Sequence, residues 1–406
     1  MTTPDVTTGG AAGAGGTARP ARAAAGFTPP LRLDLVGERP YGAPQLAVPV
    51  RLNTNENPYP PPPQVAAAMA DEIRRIAAGL NRYPDREAAV LRADLAEYLA
   101  ATEHVSLDVA RIWAANGSNE IFHQLLLAFG GPGRRALSFA PTYSMYPQYC
   151  RDTFTRYATE PRGADFSVDT EAACAAVRRH RPTVTFLAAP NNPTGTAVPL
   201  DTVAHLASAA AESGGLLVVD EAYAEFRRPG TTSALTLLDD FPNLVVTRTM
   251  SKAFAAAGVR LGYLAAHPAV VDALRIVRLP YHLSTVTQAV ARVALAHAAE
   301  LLAQVAEIRA ERDAAVAWLR ESGFTAAESD ANFVLFGIFA DAHRVWQELV
   351  DAGVLIRETG PDGWLRVSIG TPEEMRAFRT ALAAAPAAGR RVRRTDGAPH
   401  QEGGVT

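Results

Sequence analysis

The sequence predicts an α/β protein with a largely parallel central sheet, followed by a smaller α+β unit. Short apolar runs alternate with longer segments of helical period, which is the pattern of parallel strands joined by helices. The chain has 406 residues, more than one hydrophobic core usually organises, so two packed domains are expected. Hydrophobic residues make up 48% and charged residues 20% of the chain, which favours a globular protein over a disordered or membrane class.

The predicted strands and helices follow from these runs in chain order. Apolar runs of strand length predict strands at residues 111–115, 135–140, 184–189, 215–220, 243–249 and 260–266. Helical periodicity dominates residues 64–78, 86–101, 119–129, 203–211 and the long stretch 287–322. The last stretch is too long for an ordinary domain helix. We interpret it as the passage into the smaller unit, which contains the apolar runs 332–339, 354–358 and 364–370.

Composition suggests the domain boundaries. A leader at 1–29, rich in Gly, Ala, Thr and Pro, and a tail at 386–406 are predicted to be disordered, because they bury too little apolar surface to offset their ordering entropy. Between them we assign an N-terminal arm at 30–60, a large domain at 61–285 and a small C-terminal domain at 286–385. The basic run RRVRR at 390–394 is interpreted as a solvated terminal charge cluster.

Charge, cysteine usage and hydropathy exclude several functional classes. The net charge of -3 gives no general electrostatic reason to bind nucleic acid. Cys150 and Cys174 have no metal-ligand spacing, so we expect no structural metal and a reducing, cytoplasmic environment. No run of about 18 apolar residues predicts a membrane span. The leader also lacks the apolar segment of a secretory signal.

Lys252 is the only lysine among the 39 basic residues of the chain. Arginine has replaced lysine wherever a positive charge alone would serve. A lysine amine can lose a proton or form an imine, whereas an arginine does neither readily, so the surviving lysine indicates covalent carbonyl chemistry. The alternative is an accidental survivor in a codon-biased genome, and the neighbouring motifs have to decide between the two.

Polar motifs fall where the candidate strands end, the edge at which open α/β sheets bind ligands. Residues 116–120 (NGSNE) open a helix and either offer backbone N–H groups to a phosphate or form an ordinary capped start. Residues 141–146 (PTYSMY) supply an aromatic ring that stacks on a flat heterocycle or packs in the core. Residues 190–195 (PNNPTG) present an amide at the sheet edge or form a plain turn.

Charged groups follow the next two strands. Asp220 ends a fully apolar run, where a carboxylate either caps a helix or pairs with a protonated pyridine nitrogen. Residues 247–263 combine hydroxyls, Lys252 and Arg260, which are the groups needed to anchor a phosphate beside an imine. Each pattern is weak alone. Together, in this order, they match the set of groups that a pyridoxal phosphate enzyme requires.

These motifs resemble those of the fold-type I aminotransferases. The resemblance is carried by NNPTG (191–195), DEAY (220–223) and TMSKAFAAAGVRLGY (249–263). Further motifs resemble the histidinol-phosphate aminotransferases in particular, namely LNTNENPYP (52–60), NRYPD (81–85), ANGSNE (115–120), PYHLS (280–284), SDANFVLF (329–336) and WLRVSIG (364–370). The resemblance covers roughly residues 30 to 385. It implies the fold-type I fold, pyridoxal 5′-phosphate, and amino transfer between L-histidinol phosphate and 2-oxoglutarate, a step of histidine biosynthesis.

The resemblance also implies roles for individual residues. Lys252 would be the Schiff-base lysine, Asp220 would pair with the pyridine nitrogen, and Tyr223 would hydrogen-bond the ring oxygen. The other implied cofactor contacts are Asn192 at the ring oxygen, Tyr143 stacked on the ring, Gly117, Ser118, Asn119, Thr249, Ser251 and Arg260 at the phosphate, and Tyr83 from the partner subunit of a homodimer. Tyr41, Asn332, Arg357 and Arg366 would face the small-molecule substrates. For Arg357 a solvated charge at a strand end is the alternative.

Other functions stay open at this point. An aromatic-amino-acid aminotransferase would share the cofactor residues, and a pyridoxal-phosphate-dependent decarboxylase acting on an amino-acid phosphate would share the anchors. A transcriptional regulator with this fold would carry a helix-turn-helix module, for which the leader has no room. A nicotinamide-dependent dehydrogenase is disfavoured because no G-x-G-x-x-G joins a strand to a helix.

Overall fold

The computed structural model describes residues 29–389. The predicted leader up to residue 28 and the tail from residue 390, with its basic run, lie outside the described residues. The chain divides into two compact units between Gly42 and Ala43. The first unit contains a short 3-10 turn at Leu33–Leu35 and also Tyr41, whose role at the substrate therefore stays a prediction.

The second unit contains the strands and helices that build the site. Its strands are β1 (Val50–Arg51), β2 (Ile112–Ala115), β3 (Arg135–Ala140), β4 (Arg156–Pro161), β5 (Val184–Ala188), β6 (Leu216–Asp220), β7 (Leu244–Thr249), β8 (Gly262–Ala266), β9 (Thr325–Ala326), β10 (Phe333–Gly337), β11 (Val354–Leu355), β12 (Arg357–Glu358) and β13 (Trp364–Ser368). Its helices are α1 (Pro63–Ile76), α2 (Ala89–Glu103), α3 (Ser118–Phe129), α4 (Tyr146–Asp152), α5 (Thr170–His180), α6 (Leu200–Glu212), α7 (Pro268–Val277), α8 (Thr285–Ala296), α9 (Ala298–Glu321), α10 (Ala342–Asp351) and α11 (Pro372–Ala384).

The central sheet has the strand order β2-β8-β7-β6-β5-β3-β4. Its neighbours pair in parallel except at β8, which runs antiparallel to both β2 and β7. The first residue of β8, Gly262, therefore lies opposite Ala115 and Thr249, the last residues of β2 and β7. The carboxyl ends of the parallel strands and the amino end of β8 therefore lie at the same edge of the sheet.

The central strands are apolar throughout because both faces of the sheet are covered. Leu217 and Val219 of β6 belong to one hydrophobic core, whereas Val218 between them belongs to the core on the other face. This alternation is expected of a strand with two buried faces, in which successive side chains point in opposite directions. The prediction of a largely parallel sheet is confirmed, and the six predicted strands are all among its seven strands.

The second unit also contains a smaller, antiparallel sheet of order β12-β13-β10-β9, with α9, α10 and α11 around it. The short parallel pair β1-β11 connects residues 50–51, which lie within the segment assigned to the N-terminal arm, to Val354–Leu355, which precede β12. The long helical stretch beginning near residue 287 is two helices, α8 and α9, which meet at His297 with a bend of 73°. Residues 386–389, which we assigned to the disordered tail, instead form a 3-10 turn because Ala388 packs into the core.

Within residues 29–389 no single helix is long and apolar enough to cross a membrane. Among the residues that the structure describes, one bent pair of helices, α8 and α9 taken together, reaches the length and composition of a membrane span. The same part of the chain has no cluster of three His, Cys, Asp or Glu side chains suited to a metal ion. The boundary between large and small domains at residue 285 stays a prediction.

Candidate active site

The start of α3 forms a cradle for an anion. Gly117, with φ at +80°, leads directly into the helix, and no side chain caps the helix start in the described structure. A Cβ at Gly117 would lie 2.7 Å from Arg260 Nη2, and a Cβ at Gly262 would collide with the backbone nitrogen of Ser118. The two glycines thus let the Arg260 guanidinium and β8 lie against the helix start, where N–H groups and the helix dipole favour negative charge.

Hydroxyl groups complete this cradle. Arg260 Nη1 donates to Ser251 Oγ at 3.3 Å and to the carbonyl of Ala257 at 3.0 Å. The Thr249 and Ser251 hydroxyl oxygens lie 3.0 Å apart. Arg260 has a left-handed φ of 61°, which costs free energy in an arginine and which aims its guanidinium at the helix start. The group presents N–H, O–H and guanidinium donors, the combination that binds a phosphate.

Asp220 lies at the end of β6 and is 6% exposed. Its carboxylate accepts hydrogen bonds from Tyr146 Oη at 2.9 Å and from the Ala222 backbone N–H at 3.2 Å. Burial raises the pKa of Asp220 to about 6, although the hydrogen bonds from Tyr146 and Ala222 act in the opposite direction. A buried carboxylate of this kind gains most from a cationic partner, and a protonated pyridine nitrogen is such a group.

A buried ion network lies beside Asp220. Arg248, 1% exposed, donates to Glu221 Oε2 at 2.8 Å and to Glu103 Oε1 at 2.6 Å. Burial alone would raise the pKa of Glu221, but the Arg248 and Arg227 guanidinium groups hold it below its ordinary value. Glu221 therefore stays charged next to Asp220, and its charge contributes to the raised pKa of Asp220.

Lys252 follows β7 by three residues and is half-buried. Its Nζ donates to the carbonyl of Thr54 at 3.0 Å. Desolvation, with repulsion from Arg366 and Arg260, lowers the pKa of Lys252 to about 8, while Glu56 acts in the opposite direction. The amine therefore has a sizeable neutral fraction near neutral pH, as a proton acceptor requires.

Tyr223, Asn192 and Arg366 form a connected polar group. Asn192 Nδ2 donates to Tyr223 Oη at 3.4 Å, and Asn192 Oδ1 accepts from Arg366 Nη1 at 2.5 Å. Arg366 lies on β13, where it is 7% exposed and stacks over the Phe333 ring at 5.0 Å. Its Nη2 also donates to the carbonyl of Asn53 at 3.1 Å. This group joins the strand ends of the central sheet to the smaller sheet.

A family model for "Aminotransferase class I and II" matches residues 48–382. The chain belongs to the class I and II aminotransferases. It is 64% identical to a histidinol-phosphate aminotransferase of Thermobifida fusca over 87% of this chain and 94% of that relative. It is 56% identical to one of Frankia casuarinae over 92% of this chain and 94% of that relative. These matches confirm the family resemblance that the sequence motifs indicated.

Solved structures agree with this family. The histidinol-phosphate aminotransferase of Sinorhizobium meliloti in complex with pyridoxal 5′-phosphate has a TM-score of 0.74 at 28% identity, over 84% of this chain and 91% of that chain. Aspartate aminotransferase of Thermus thermophilus with maleate has a TM-score of 0.71 at 26% identity, over 82% of this chain and 90% of that chain. The fold-type I class and the aminotransferase activity are therefore confirmed.

The aminotransferase site brings together most of the residues that the sequence predicted. Tyr143 Oη donates to Asn119 Oδ1 at 3.3 Å, which places this ring beside the anion cradle. Asn332 is fully buried; its Nδ2 donates to the carbonyl of Asn55 at 3.1 Å, whereas its Oδ1 has no hydrogen-bond partner among residues 29–389. A buried amide oxygen without a donor is costly, which marks this position as one suited to a ligand group.

Two predicted residues stand apart from this cluster. Arg357 lies opposite Arg366 on β12, and among the described residues it has neither an ion pair nor a side-chain hydrogen bond. Tyr83 is 79% exposed and stacks on Tyr281 at 4.3 Å, so its described ring contact is with another surface residue. One chain alone therefore does not bring Tyr83 into the aminotransferase site.

Several residues of the site were not predicted from the sequence. Asn55 Nδ2 donates to Tyr223 Oη at 3.0 Å, Thr54 receives the Lys252 amine through its carbonyl, and Tyr146 holds Asp220. The motifs LNTNENPYP and PTYSMY contain these residues, but neither motif shows from its spacing which side chain turns inward. The three asparagines at positions 53, 55 and 57, before a Pro-rich segment, were the available signal for Asn55.

Proposed function

We propose that this aminotransferase transfers the amino group of L-histidinol phosphate to 2-oxoglutarate, giving imidazole-acetol phosphate and L-glutamate, with pyridoxal 5′-phosphate at the carboxyl edge of the central sheet. The observation that carries the proposal is the convergence, at this one edge, of the only lysine, a buried carboxylate and an anion cradle. The names of relatives at 64% and 56% identity support the choice of substrate.

The donor set fits the cofactor. Gly117, Ser118, Asn119, Thr249, Ser251 and Arg260 would hold its phosphate, and Tyr143 would lie against its ring. When bound, pyridoxal phosphate supplies a carbonyl carbon that exchanges amines and a ring that accepts the electron pair left when the substrate Cα–H bond breaks. Tyr223 and Asn192 would donate to the ring oxygen, and Asp220 would hold a proton on the ring nitrogen.

Lys252 has two tasks in this proposal. Its amine would be the group that binds the cofactor's carbonyl carbon, and as a free amine it would be the base that takes and returns a substrate proton. The free amine, with a pKa lowered to about 8 by burial and by Arg366, is neutral often enough to take the proton from the substrate Cα. The Thr54 carbonyl, 3.0 Å from Nζ, limits the directions in which this amine can point.

Substrate recognition is assigned to arginine and amide groups. Arg366 and Arg357 are cross-strand partners on β13 and β12, which puts both side chains on one face of the sheet, so two planar guanidinium forks would be available to a phosphate or to the carboxylates of a keto diacid. Asn332 Oδ1 supplies a buried acceptor. Tyr41 stays a prediction as the fourth residue in contact with the substrate.

The proposal includes a cytoplasmic homodimer. Tyr83 is exposed and stacked on Tyr281, and further exposed apolar side chains lie near these two tyrosines in the sequence, namely Leu80, Ile276 and Leu279. Apolar exposure of this kind is typical of a surface that binds a partner. The partner subunit would receive Tyr83 in its own cofactor site.

The test compares amino donors with purified protein loaded with pyridoxal phosphate. We expect kcat/KM for histidinol phosphate to exceed that for phenylalanine by about 10⁴, because a site built for a polar group strongly rejects a ligand that leaves it unpaired. Unphosphorylated histidinol should lose most of this advantage. A preference for phenylalanine would favour an aromatic-amino-acid aminotransferase, and release of CO2 would favour a decarboxylase.

Arg357→Ala tests the phosphate contact. It should lower kcat/KM for histidinol phosphate by about 10- to 100-fold, as expected for a charge-assisted pair of about 1.5 to 3 kcal/mol, and should affect phenylalanine far less. The matched control is Arg344→Ala on α10, an exposed arginine in an i,i+4 ion pair with Glu348. Equal effects of the two variants would return Arg357 to a solvated strand-end charge.

A further inference from the structure

Residues 53–57 form a strap that connects the central sheet to the smaller sheet. The carbonyl of Asn53 receives Arg366, the carbonyl of Thr54 receives Lys252, and the carbonyl of Asn55 receives Asn332. Asn57 Nδ2 donates to the carbonyl of Ala253 at 3.3 Å. The strap therefore binds groups of the aminotransferase site mainly through its backbone. The Asn55 side chain in addition binds the hydroxyl of Tyr223.

Asn55 is held rigidly from several directions. It is 2% exposed and has a left-handed φ of 55°, a conformation that asparagine tolerates better than most residues. Its backbone N–H donates to Ser368 Oγ at 2.9 Å, and the Ser368 hydroxyl oxygen also lies 2.9 Å from Asn55 Oδ1. With Oδ1 taken by Ser368, the Asn55 amide nitrogen is turned toward Tyr223 Oη, 3.0 Å away.

Two amides thus donate to one hydroxyl oxygen. Asn55 Nδ2 and Asn192 Nδ2 lie 3.0 Å and 3.4 Å from Tyr223 Oη. A tyrosine hydroxyl has a single proton, and an N–H donor directed at its oxygen makes that proton a better donor through cooperative polarisation. The nearer of the two amides is that of Asn55 in the strap. The motif LNTNENPYP did not reveal this contact.

We propose that Asn55 is a positioning residue that sets the donor direction of the Tyr223 hydroxyl, so that its proton points to the ring oxygen of the bound cofactor. This inference rests on the proposed binding of pyridoxal phosphate. Asn55 itself does not touch the reacting atoms. It acts through Tyr223, and Ser368 on β13 fixes its orientation, so the smaller sheet helps to tune the cofactor that the central sheet holds.

The test follows the pH midpoint of the cofactor's visible absorbance band rather than turnover. A donor to the ring oxygen stabilises the negative charge of that oxygen, which favours the deprotonated form of the bound cofactor. Asn55→Asp keeps the size and the Ser368 contact but replaces the amide donor with an acceptor. We expect the midpoint to rise by about 0.5 to 1 pH unit, the range of one hydrogen bond.

Two controls separate this role from general charge and from structure. Asn57→Asp adds the same charge to the same strap, at a side chain bonded to the Ala253 carbonyl, and should move the midpoint much less. Asn55→Gly removes the side chain while accommodating the left-handed backbone. In a Tyr223→Phe background, Asn55→Gly should give no further shift, because the hydroxyl through which it acts is gone.

The outcomes are distinguishable. If the wild-type protein takes up no pyridoxal phosphate and shows no visible band, the proposed function fails. If the band forms but Asn55→Asp leaves its midpoint in place, matches Asn57→Asp, or shifts the Tyr223→Phe background equally, the positioning role of Asn55 is overturned. Should Asn55→Gly fold poorly, Asn55→Asp in the same two backgrounds gives the same comparison.

Discussion

Replacing Asp220 with asparagine should stabilise the cofactor-free protein and inactivate the loaded enzyme. Burial raises the pKa of Asp220 from its ordinary 3.8 to about 6. At about 1.4 kcal/mol per pKa unit, ionising this buried group costs the folded protein about 3 kcal/mol. Because the folded-state pKa is the higher one, this cost is absent below pH 4, grows as the pH rises to 6 and is complete above pH 6.

The Asp220→Asn substitution regains only part of this free energy, because the asparagine amide makes poorer hydrogen bonds than the carboxylate. Tyr146 Oη and the Ala222 N–H both donate to the carboxylate, and an amide offers one oxygen where the carboxylate offers two. Rotation of the Tyr146 hydroxyl lets it accept from the new N–H, at a loss of about 1 kcal/mol. We therefore expect Asp220→Asn to be about 2 kcal/mol more stable than wild type above pH 6, with no such gain below pH 4.

The assay is urea unfolding of both cofactor-free proteins at one protein concentration, from pH 4 to pH 8, with the transition midpoints compared at each pH. The same variant loaded with pyridoxal phosphate should turn over more slowly by orders of magnitude, since a neutral amide does not hold a proton on the ring nitrogen. A stability difference that does not change with pH, or a variant less stable at pH 8, would refute the reasoning. Near-normal turnover would return Asp220 to the role of a structural cap.

Three further predictions test other parts of the site. Borohydride should bleach the loaded protein and fix the cofactor to Lys252, which peptide mass spectrometry would locate; fixation at the N-terminal amine alone would contradict this. Mixing Tyr83→Ala and Lys252→Ala proteins, each inactive, should restore about a quarter of the wild-type sites through heterodimers, whereas no recovery would place Tyr83 in its own subunit's site or outside any site. Gly262→Ala should weaken cofactor binding by about 10- to 100-fold, because the new Cβ collides with the Ser118 backbone. Gly258→Ala, with open space around it, is the control and should bind as wild type does.

The central strands were predictable because they are buried on both faces and therefore read as unbroken apolar runs. β4 was missed since it lies at the sheet edge, where its sequence RYATEP contains Glu160 and Pro161 and its residues are partly exposed. The break between α8 and α9 was also missed, because the apolar period continues on both sides of His297. The partial exposure of an edge strand and the bend between two consecutive helices change the hydropathy pattern of the sequence very little.

The residues of the candidate site likewise divide into those that the motifs predicted and those that they did not. Lys252, Asp220 and Arg260 follow or precede strands whose order fixes their common edge, so motifs alone brought them together. Asn55 meets Ser368 across 313 positions of sequence, and no local pattern encodes such a contact. Tyr83 depends on a second chain in the proposal, which lies beyond what one sequence or one chain determines.

The reversed direction of β8 limits how the length of this chain can vary. Residues 250–261 leave β7 and enter β8 at the same edge of the sheet, whereas a parallel crossover would carry the chain to the opposite edge. Lys252 and Arg260 therefore lie on one connection whose two ends are fixed by strand register. Most surface loops accept inserted or deleted residues at small cost. In this connection a single insertion would change the spacing between the covalent lysine and the anion cradle, so length variation is expected in the loops at the other edge.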